Sequence, residues 1–478
     1  MTLASDIPAL TAVELAASYR SRELSPVETA NALLDRIETF DGALNAFCHL
    51  DPDETMTQAR ASEDRFAAGQ PLGPLDGIVV AIKDIFLTKA WPTLKGSRLV
   101  NPAQPWKHDA PAVARLREGG AVLIGKTTTP EFGWKGITDS PLTGITRNPW
   151  DTNRTPGGSS GGSAAALAIG MSPLALGSDG GGSIRIPGAF TGTVGLKPTF
   201  GRVPYWPMSP FGTLAHAGPM ARTVEDAALL FQVLAGYDPR DWTALPTNTV
   251  DFRAGLEDGV AGRRVAFSLT LGYAEVDPEI VLLVTEAAEV FEALGAKVVV
   301  DDPGFTDPLR TWETLWYLGA AAVVMGLDPG QRDLLDPGLA EIAEEGARLT
   351  AVDYLRAFQE RIDVAVALSA LLEDYDFLLT PTMPIAAFEA GVEVPTVWPH
   401  QRWQTWSPFS LPFNLSQQPA VTVPCGLTAD GLPVGLQVVA AKHRDRLTLQ
   451  AAWAYEAARN NDGVFTRPLT SVREPNQG

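Results

Sequence analysis

The sequence predicts an α/β fold around a mixed β-sheet, and two observations support this prediction. Short apolar runs, each about as long as one buried strand, alternate with longer segments whose apolar residues recur at helical spacing. Strands that alternate with helices are typical of this fold class. The chain has 478 residues, of which 45% are apolar, so it can bury a large core and the composition argues against disorder.

Helices are predicted first near the N-terminus, where residues 1–70 are expected to be helical. Ser25, Pro26 and Glu28 form a capping box with proline at the first helical position, and an apolar stripe follows to about residue 40. Thr223 is the predicted N-cap of a later helix. Further helices are predicted at 112–118, 163–169, 223–235 and 278–294, and the region 241–376 is expected to be mostly helical.

Strands are predicted wherever a short apolar run is bounded by turn residues or by a helix. These runs lie at 77–82, 121–124, 173–176, 194–197, 264–268, 297–300, 377–380, 420–423 and 435–439.

Charge and cysteine content exclude several classes of function. The net charge of −19 repels a phosphate backbone, so no nucleic-acid partner is expected. Cys48 and Cys425 are too few for a disulfide framework, and no Cys/His cluster suggests a metal site. The sequence shows neither a signal peptide nor an apolar run long enough to span a membrane. A cytoplasmic protein without a membrane partner is therefore expected.

One segment matches the residue pattern of a phosphate-binding motif, but the elements predicted on either side of it do not fit that motif. Gly120-Ala-Val-Leu-Ile-Gly125-Lys126-Thr127 fits GxxxxGK[ST], a pattern that needs a strand before it and a helix after it. Here a predicted helix precedes the motif and Pro130 follows closely, while its variable positions are typical of a buried strand. Nucleotide binding at this segment is disfavoured.

A second motif, Gly158-Ser-Ser-Gly-Gly162, contains the GxSxG pattern with Ser160 as its serine. In α/β-hydrolases this serine follows a strand directly, whereas residues 153–157 have the composition of a loop. Such an enzyme also needs a late histidine, and His443 lies between Lys442 and Arg444 in what reads as a surface turn. An esterase that uses Ser160 stays open as an alternative.

Three segments together indicate a catalytic site. Lys83 ends an apolar strand, and a lysine in apolar surroundings can lose its proton near neutral pH and act as a base. Ser159 and Ser183 each lie in a glycine-rich loop, and thirteen of the 44 glycines fall within residues 157–201. Such loops let several backbone amides point at one atom, as in an oxyanion hole.

These segments resemble the amidase signature family. The matching stretches are GIVVAIKD from Gly77, PGGSSGGSAAAL from Pro156, GSDGGGSIRIPG from Gly177, GLKPTFGRVPY from Gly195, GPMARTVEDAALLF from Gly218, LTPTMP from Leu379, PAVTVPCGL from Pro419 and GLPVGLQV from Gly431. The resemblance covers most of the chain and weakens between about 241 and 376. It implies a mixed, twisted β-sheet core with helices on both faces. One domain, 1–478, is expected, with a catalytic core at 71–240 and 377–470.

The resemblance assigns roles to three residues. It implies that Lys83 is the base, that Ser183 is the nucleophile, and that Ser159 bridges them and follows a cis peptide bond. A serine hydroxyl does not ionise at neutral pH, so a base must take its proton. A neutral Lys83 would accept the proton of Ser159, which in turn would accept that of Ser183. Amide hydrolysis through an acyl-enzyme follows, with no cofactor and no metal.

Other residues receive roles from the same resemblance. The oxyanion hole is expected from the amides of Gly180, Gly181, Gly182 and Ser183, and Ser160, Asp179 and Arg185 are expected to brace the loop. Two positions depart from the family pattern. Gly180 stands where relatives usually carry threonine or another residue with a side chain, and Gln417 stands where they usually carry glycine, which puts the inherited substrate preference in doubt.

The expected function is hydrolysis of a hydrophobic or aryl amide, with the amide and water as small-molecule partners. Trp206, Trp403, Trp406 and Gln417 are the candidate substrate-binding residues, because their segments border the substrate funnel in the family. The alternative within the family is the glutaminase subunit of a tRNA-dependent amidotransferase. The apolar segment 204–218 and the net charge favour a stand-alone enzyme. A binding protein without catalysis is disfavoured because all three triad residues are present, and a homodimer is left open.

Overall fold

The strands of the protein are short and lie along the whole chain. The computed structural model describes residues 7–247 and 250–459. In this part of the chain the strands are β1 (Phe47–Leu50), β2 (Val79–Lys83), β3 (Val122–Thr127), β4 (Asp139–Ser140), β5 (Gly144–Ile145), β6 (Leu174–Asp179), β7 (Val194–Lys197), β8 (His216–Ala221), β9 (Arg264–Phe267), β10 (Lys297–Val300), β11 (Phe377–Pro381), β12 (Ala420–Leu427) and β13 (Pro433–Ala440).

The helices alternate with these strands over most of the chain. They are α1 (Ala12–Ser21), α2 (Pro26–Leu44), α3 (Pro52–Ala67), α4 (Pro111–Glu118), α5 (Gly161–Ala168), α6 (Arg185–Thr191), α7 (Val224–Leu234), α8 (Pro278–Ala293), α9 (Leu309–Val324), α10 (Pro329–Arg332), α11 (Pro337–Gly346), α12 (Ala351–Asp374), α13 (Leu411–Ser416) and α14 (Asp445–Arg459). Ser25 caps α2 in a complete capping box, and the Thr223 side chain caps α7, as the sequence predicts.

Eleven of the strands form one mixed sheet, in the order β1-β3-β2-β6-β8-β7-β12-β13-β11-β9-β10. The pairs β3/β2, β2/β6, β11/β9 and β9/β10 are parallel, and the other neighbours are antiparallel. The strands β4 and β5 form a separate two-stranded ribbon. Strands β9 and β10 come from the mostly helical region 241–376 and extend one edge of the common sheet.

Helices cover both faces of this sheet. On β2, Val79 and Ala81 pack with the apolar residues of α2, α3 and α5, whereas Val80 and Ile82 pack with those of α1, α4 and α7. Toward the β10 edge of the sheet, α8 and α14 lie on the face of Val80 and Ile82, and α12 and α13 lie on the opposite face. The predicted α/β fold with a helix-covered mixed sheet is confirmed. None of the helices in the described ranges is long and apolar enough to cross a membrane.

Besides the two-residue strands β4 and β5, two strands of the large sheet lie where the sequence predicts none. The strand β1 falls within residues 1–70, which were expected to be helical; it pairs antiparallel with β3 at the edge of the sheet. The strand β8 contains Gly218 and Pro219, residues that normally argue against a central strand. Gly218 is required there because a Cβ would lie 2.9 Å from the Pro198 Cδ, and the close packing of neighbouring strands overrides the local preference.

Candidate active site

Lys83 lies at the end of β2 with its side chain fully buried. Its Nζ donates hydrogen bonds to Ser159 Oγ at 2.7 Å and to Ser178 Oγ at 2.9 Å. Burial lowers the pKa of this amine well below its ordinary value, and the negative charge of Asp179 opposes the shift only in part. No carboxylate of the described residues forms an ion pair with it. The site therefore favours the neutral amine, which can accept a proton.

Ser159 lies in the turn that leads into α5, where the Gly158–Ser159 peptide bond is cis. The backbone of Gly158 packs against the backbone of Ile137, with no room for a side chain between them. The next residue, Ser160, donates its backbone N–H to the Ser183 carbonyl at 3.1 Å. This hydrogen bond joins the two serine-bearing loops directly.

Ser183 lies in the turn between β6 and α6, and its side chain is buried. Together with Ser159 and Ser178 it lines one cavity. Among the described residues no hydrogen bond joins the Ser159 and Ser183 hydroxyls. Gly182, the preceding residue, has a φ of +111°, a conformation that favours glycine over any residue with a Cβ.

A buried ion pair holds this turn. Arg185 donates from Nε to Asp179 Oδ2 at 3.0 Å and from Nη2 to Asp179 Oδ1 at 2.9 Å. The guanidinium also reaches Gln437 Oε1 at 2.8 Å and Asn414 Oδ1 at 2.7 Å. The charge of Arg185 keeps the pKa of Asp179 below its ordinary value, against the opposing effect of burial. The turn that carries Ser183 is thus fixed to β13 and α13.

The four amides expected for the oxyanion hole have different surroundings. The Gly182 N–H donates to Asp179 Oδ1 at 2.8 Å, so in this structure it serves the ion pair and does not point freely into the cavity. Gly180 and Ser183 both line the cavity. Of the four expected donors, positions 180 and 183 therefore lie at the cavity, whereas Gly181 is not among its lining residues.

Two tryptophans of α9 pack against the glycines of this loop. A Cβ at Gly180 would lie 2.9 Å from Trp316 Cζ3, and one at Gly181 would lie 2.6 Å from Trp312 Cζ2. The indole N–H of Trp312 also donates to the Gly180 carbonyl at 3.1 Å. The glycine at position 180, which departs from the family pattern, thus leaves room for Trp316. This tryptophan lies in the region where the resemblance is weakest.

Comparison with known proteins identifies the family of this chain. The family model described as Amidase matches residues 28–449. This chain belongs to the amidase signature family. It is 39% identical to the acylamidase of Rhodococcus erythropolis over 94% of this chain and 95% of that protein. It is 38% identical to a glutamyl-tRNA(Gln) amidotransferase subunit of Salinispora arenicola, over 97% and 99% respectively.

A solved member of the family shares the whole architecture. The crystal structure of a bacterial aryl acylamidase superimposes with a TM-score of 0.90, at 29% sequence identity, over 98% of this chain and 99% of that one.

In this amidase the walls of the cavity are mostly apolar and aromatic. The residues that form them beside the serines and Gly180 are Ile85, Lys95, Phe132, Gly133, Tyr205, Pro207, Met208, Ser209, Pro210, Phe211, Ala215 and Trp316. Sequence reasoning missed Ser178, Tyr205 and Lys95. Ser178 carried a signal, because it lies one residue before Asp179 in the glycine-rich motif at 177–188. The other two come from segments whose approach to Ser183 depends on tertiary packing.

The four substrate-binding candidates lie outside the lining of this cavity. Trp403 and Trp406 are buried in the aromatic core behind the turn that carries Ser183. Trp206 lines a neighbouring cavity that shares Tyr205, Met208, Ser209 and Ala215 with the cavity of Ser159 and Ser183. Gln417 ends α13 in a left-handed conformation, and its amide donates to the Thr213 carbonyl at 3.2 Å.

The two alternative motifs have structural surroundings of their own. Ser160 is buried, and its hydroxyl donates to the Ser178 carbonyl at 3.2 Å. In an α/β-hydrolase the serine directly follows a strand, whereas Ser160 follows a loop. The residues Val122–Thr127 of the GxxxxGK[ST] match form the buried strand β3, and Lys126 Nζ donates to the Phe86 carbonyl at 2.7 Å.

Proposed function

We propose that this amidase hydrolyses hydrophobic or aryl amides through an acyl-enzyme on Ser183. The observation that carries the proposal is the 2.7 Å hydrogen bond from Lys83 to Ser159, in a cavity that Ser183 also lines. A neutral amine next to a serine hydroxyl supplies the base that serine catalysis needs. The apolar walls supply the affinity for a hydrophobic substrate.

The reaction begins when Ser183 Oγ attacks the amide carbonyl carbon. Its proton passes to Ser159 while Ser159 gives its own proton to Lys83. The backbone amides at positions 180 and 183, which lie at the cavity, stabilise the negative charge on the carbonyl oxygen, a contribution that typically amounts to about 3 kcal/mol for one donor. Lys83, now an ammonium, returns the proton through Ser159 to the leaving nitrogen as the C–N bond breaks. Water then attacks the ester through the same relay and releases the carboxylic acid.

The substrate preference is supported by the cavity and by the relatives. Phe132, Phe211 and Trp316 provide aromatic surfaces close to Ser183. Relatives named acylamidase and aryl acylamidase match this chain over nearly its full length.

A glutaminase subunit is the second candidate function, because the 38% identity to the glutamyl-tRNA(Gln) amidotransferase protein spans 97% of this chain. In that case glutamine would be the preferred amide, and activity would depend on partner subunits, tRNA and ATP. The apolar cavity walls favour the first candidate, since a free amino acid needs charged partners for both its ammonium and its carboxylate.

The test compares phenylacetyl-4-nitroanilide, malonamide and glutamine as substrates of the purified chain. We expect release of 4-nitroaniline from the first and little turnover of the other two. Ser183→Ala should lower kcat by about 1000-fold or more. Ser21→Ala, at an exposed position of α1, is the matched control and should keep wild-type rates. Turnover of malonamide without the anilide would overturn the substrate class, and tRNA-dependent glutaminase activity would favour the second candidate.

A further inference from the structure

Lys95 is the charged side chain on the wall of the catalytic cavity. The other described lining residues are neutral, and most are apolar or aromatic. Within the described ranges the Lys95 ammonium makes neither an ion pair nor a hydrogen bond, although the chain carries 56 acidic residues. Lys126, in contrast, pairs with Asp84 at 3.4 Å. An unpaired cation in a half-buried cavity is unfavourable unless a ligand supplies the missing charge.

The backbone holds Lys95 in a defined place relative to the catalytic lysine. The residue has a φ of +55°, an uncommon conformation for a residue with a long side chain. Its carbonyl accepts a hydrogen bond from the Phe132 N–H at 2.8 Å, and the preceding Leu94 N–H donates to Asp84 Oδ2 at 3.1 Å. Because Asp84 directly follows Lys83, this loop is anchored beside the base.

We propose that Lys95 binds a carboxylate of the substrate, so that preferred substrates are apolar amides that carry one anionic group. This inference rests on the proposed function and narrows its substrate class. The apolar walls would hold the body of the substrate, and the ammonium would form a charge-assisted hydrogen bond with the carboxylate.

The charge state of the free enzyme is consistent with this role. Burial lowers the pKa of Lys95, and the carboxylate of Asp84 opposes the shift without contacting the ammonium. A carboxylate bound in the cavity would favour the protonated form, since an opposite charge at short range stabilises an ammonium. Binding of the anion and protonation of Lys95 would then strengthen each other.

The experiment uses pairs of amides that differ by one carboxylate. On the acyl side the pair is glutaryl-4-nitroanilide and pentanoyl-4-nitroanilide. On the amine side it is the pentanoyl amides of 5-amino-2-nitrobenzoate and of 4-nitroaniline. For each pair we measure the ratio of kcat/KM for the acid to that for its neutral partner. A defect in folding changes both members equally, so the ratio reports on recognition alone.

We expect at least one pair to favour the acid in the wild-type enzyme, and the pair that does so identifies the side of the substrate that faces Lys95. Lys95→Met, which keeps the length of the side chain, should lower that ratio by roughly 10- to 100-fold, mainly through KM. Lys95→Arg should restore part of it. Lys89→Met, at an exposed position of the same loop, is the matched control and should leave the ratio unchanged.

Two outcomes would overturn the proposal. One is a ratio near or below one for both pairs in the wild type. The other is a Lys95→Met variant that keeps the wild-type ratio, or loses activity on acid and neutral amides alike. Either result leaves the proposed function intact if the neutral anilide is hydrolysed in a Ser183-dependent way. Absence of hydrolysis of every anilide, together with glutaminase activity, would instead refute the proposed function itself.

Discussion

The indole of Trp316 occupies the place that a side chain at position 180 would need, since a Cβ on Gly180 would lie 2.9 Å from Trp316 Cζ3. Gly180 belongs to the loop that carries Ser183, the proposed nucleophile, whereas Trp316 belongs to α9, where the family resemblance is weakest. A side chain at position 180 therefore requires a smaller residue at position 316 or a shift of one of the two segments. The tryptophan also lines the cavity of Ser159 and Ser183, so the pair links the shape of that cavity to the loop that carries Ser183.

The first prediction concerns this pair. Gly180→Ala should lower kcat/KM for anilides by roughly 10- to 100-fold, because an overpacked site typically costs about 1–3 kcal/mol and the displaced loop carries the proposed oxyanion donors. Trp316→Leu in the same chain should recover much of the loss. Steady-state kinetics of the two single variants and the double variant measure the coupling.

Gly42→Ala is the control for this prediction, since no atom lies within 4 Å of the added Cβ in α2. It should leave kcat/KM unchanged. Additive effects of Gly180→Ala and Trp316→Leu would contradict the steric account.

The second prediction concerns the ion pair of Asp179 and Arg185, which is fully buried. Asp179→Asn removes the charge that compensates Arg185 and weakens the acceptor of the Gly182 N–H. Breaking a buried pair in this way typically costs about 3–5 kcal/mol. Urea unfolding should show a decrease in the free energy of unfolding of that size. At low urea, where the variant is still folded, kcat should nevertheless be lower than in the wild type.

The matched control breaks an exposed pair. Arg264 and Asp374 lie 3.9 Å apart with side chains 57% and 76% exposed. Asp374→Asn should change the free energy of unfolding by less than about 1 kcal/mol. Equal effects of the two substitutions would refute the bracing role of Asp179.

The third prediction concerns the stability of the enzyme as a function of pH. Burial depresses the pKa of Lys83 in the folded state, so the unfolded chain binds one more proton between that depressed pKa and the ordinary value of 10.5. Stability therefore rises with pH across this window, by up to about 1.4 kcal/mol per pH unit for one group. Lys83→Met should remove this contribution and stabilise the protein at neutral pH.

The measurement is the free energy of unfolding at several pH values for the wild type and Lys83→Met. The difference between the two proteins should shrink as the pH rises. Other buried amines such as Lys197 cancel in the difference, because both proteins contain them. A difference that stays constant from neutral to alkaline pH would mean that Lys83 is already charged in the folded state.

The sequence predicts the sheet, and it singles out the three residues of the proposed triad, because the signals for both are local. Apolar runs identify β2 and β7, and the glycine-rich loops identify the segments around Ser159 and Ser183. It does not predict β8, whose Gly218 and Pro219 oppose a strand until neighbouring strands pack against them.

The residues that line the cavity are harder to predict from the sequence. Trp316 lies 133 positions after Ser183, and Lys95 lies 88 positions before it, so only the fold brings them to one cavity. Trp403 and Trp406 illustrate the same limit. A tryptophan in the sequence can line a cavity or pack in the core, and these two are buried in the core.

The central claim is that Ser183 attacks the substrate and that neutral Lys83 activates it through Ser159. The most direct test is the rate of labelling by a fluorophosphonate, followed by peptide mapping, in the wild type and in Lys83→Met across a range of pH. We predict label on Ser183, a rate that rises from neutral to alkaline pH, and labelling of Lys83→Met that is at least about 100-fold slower and independent of pH. Label on Ser160, or wild-type labelling of Ser183 in Lys83→Met, would contradict the account.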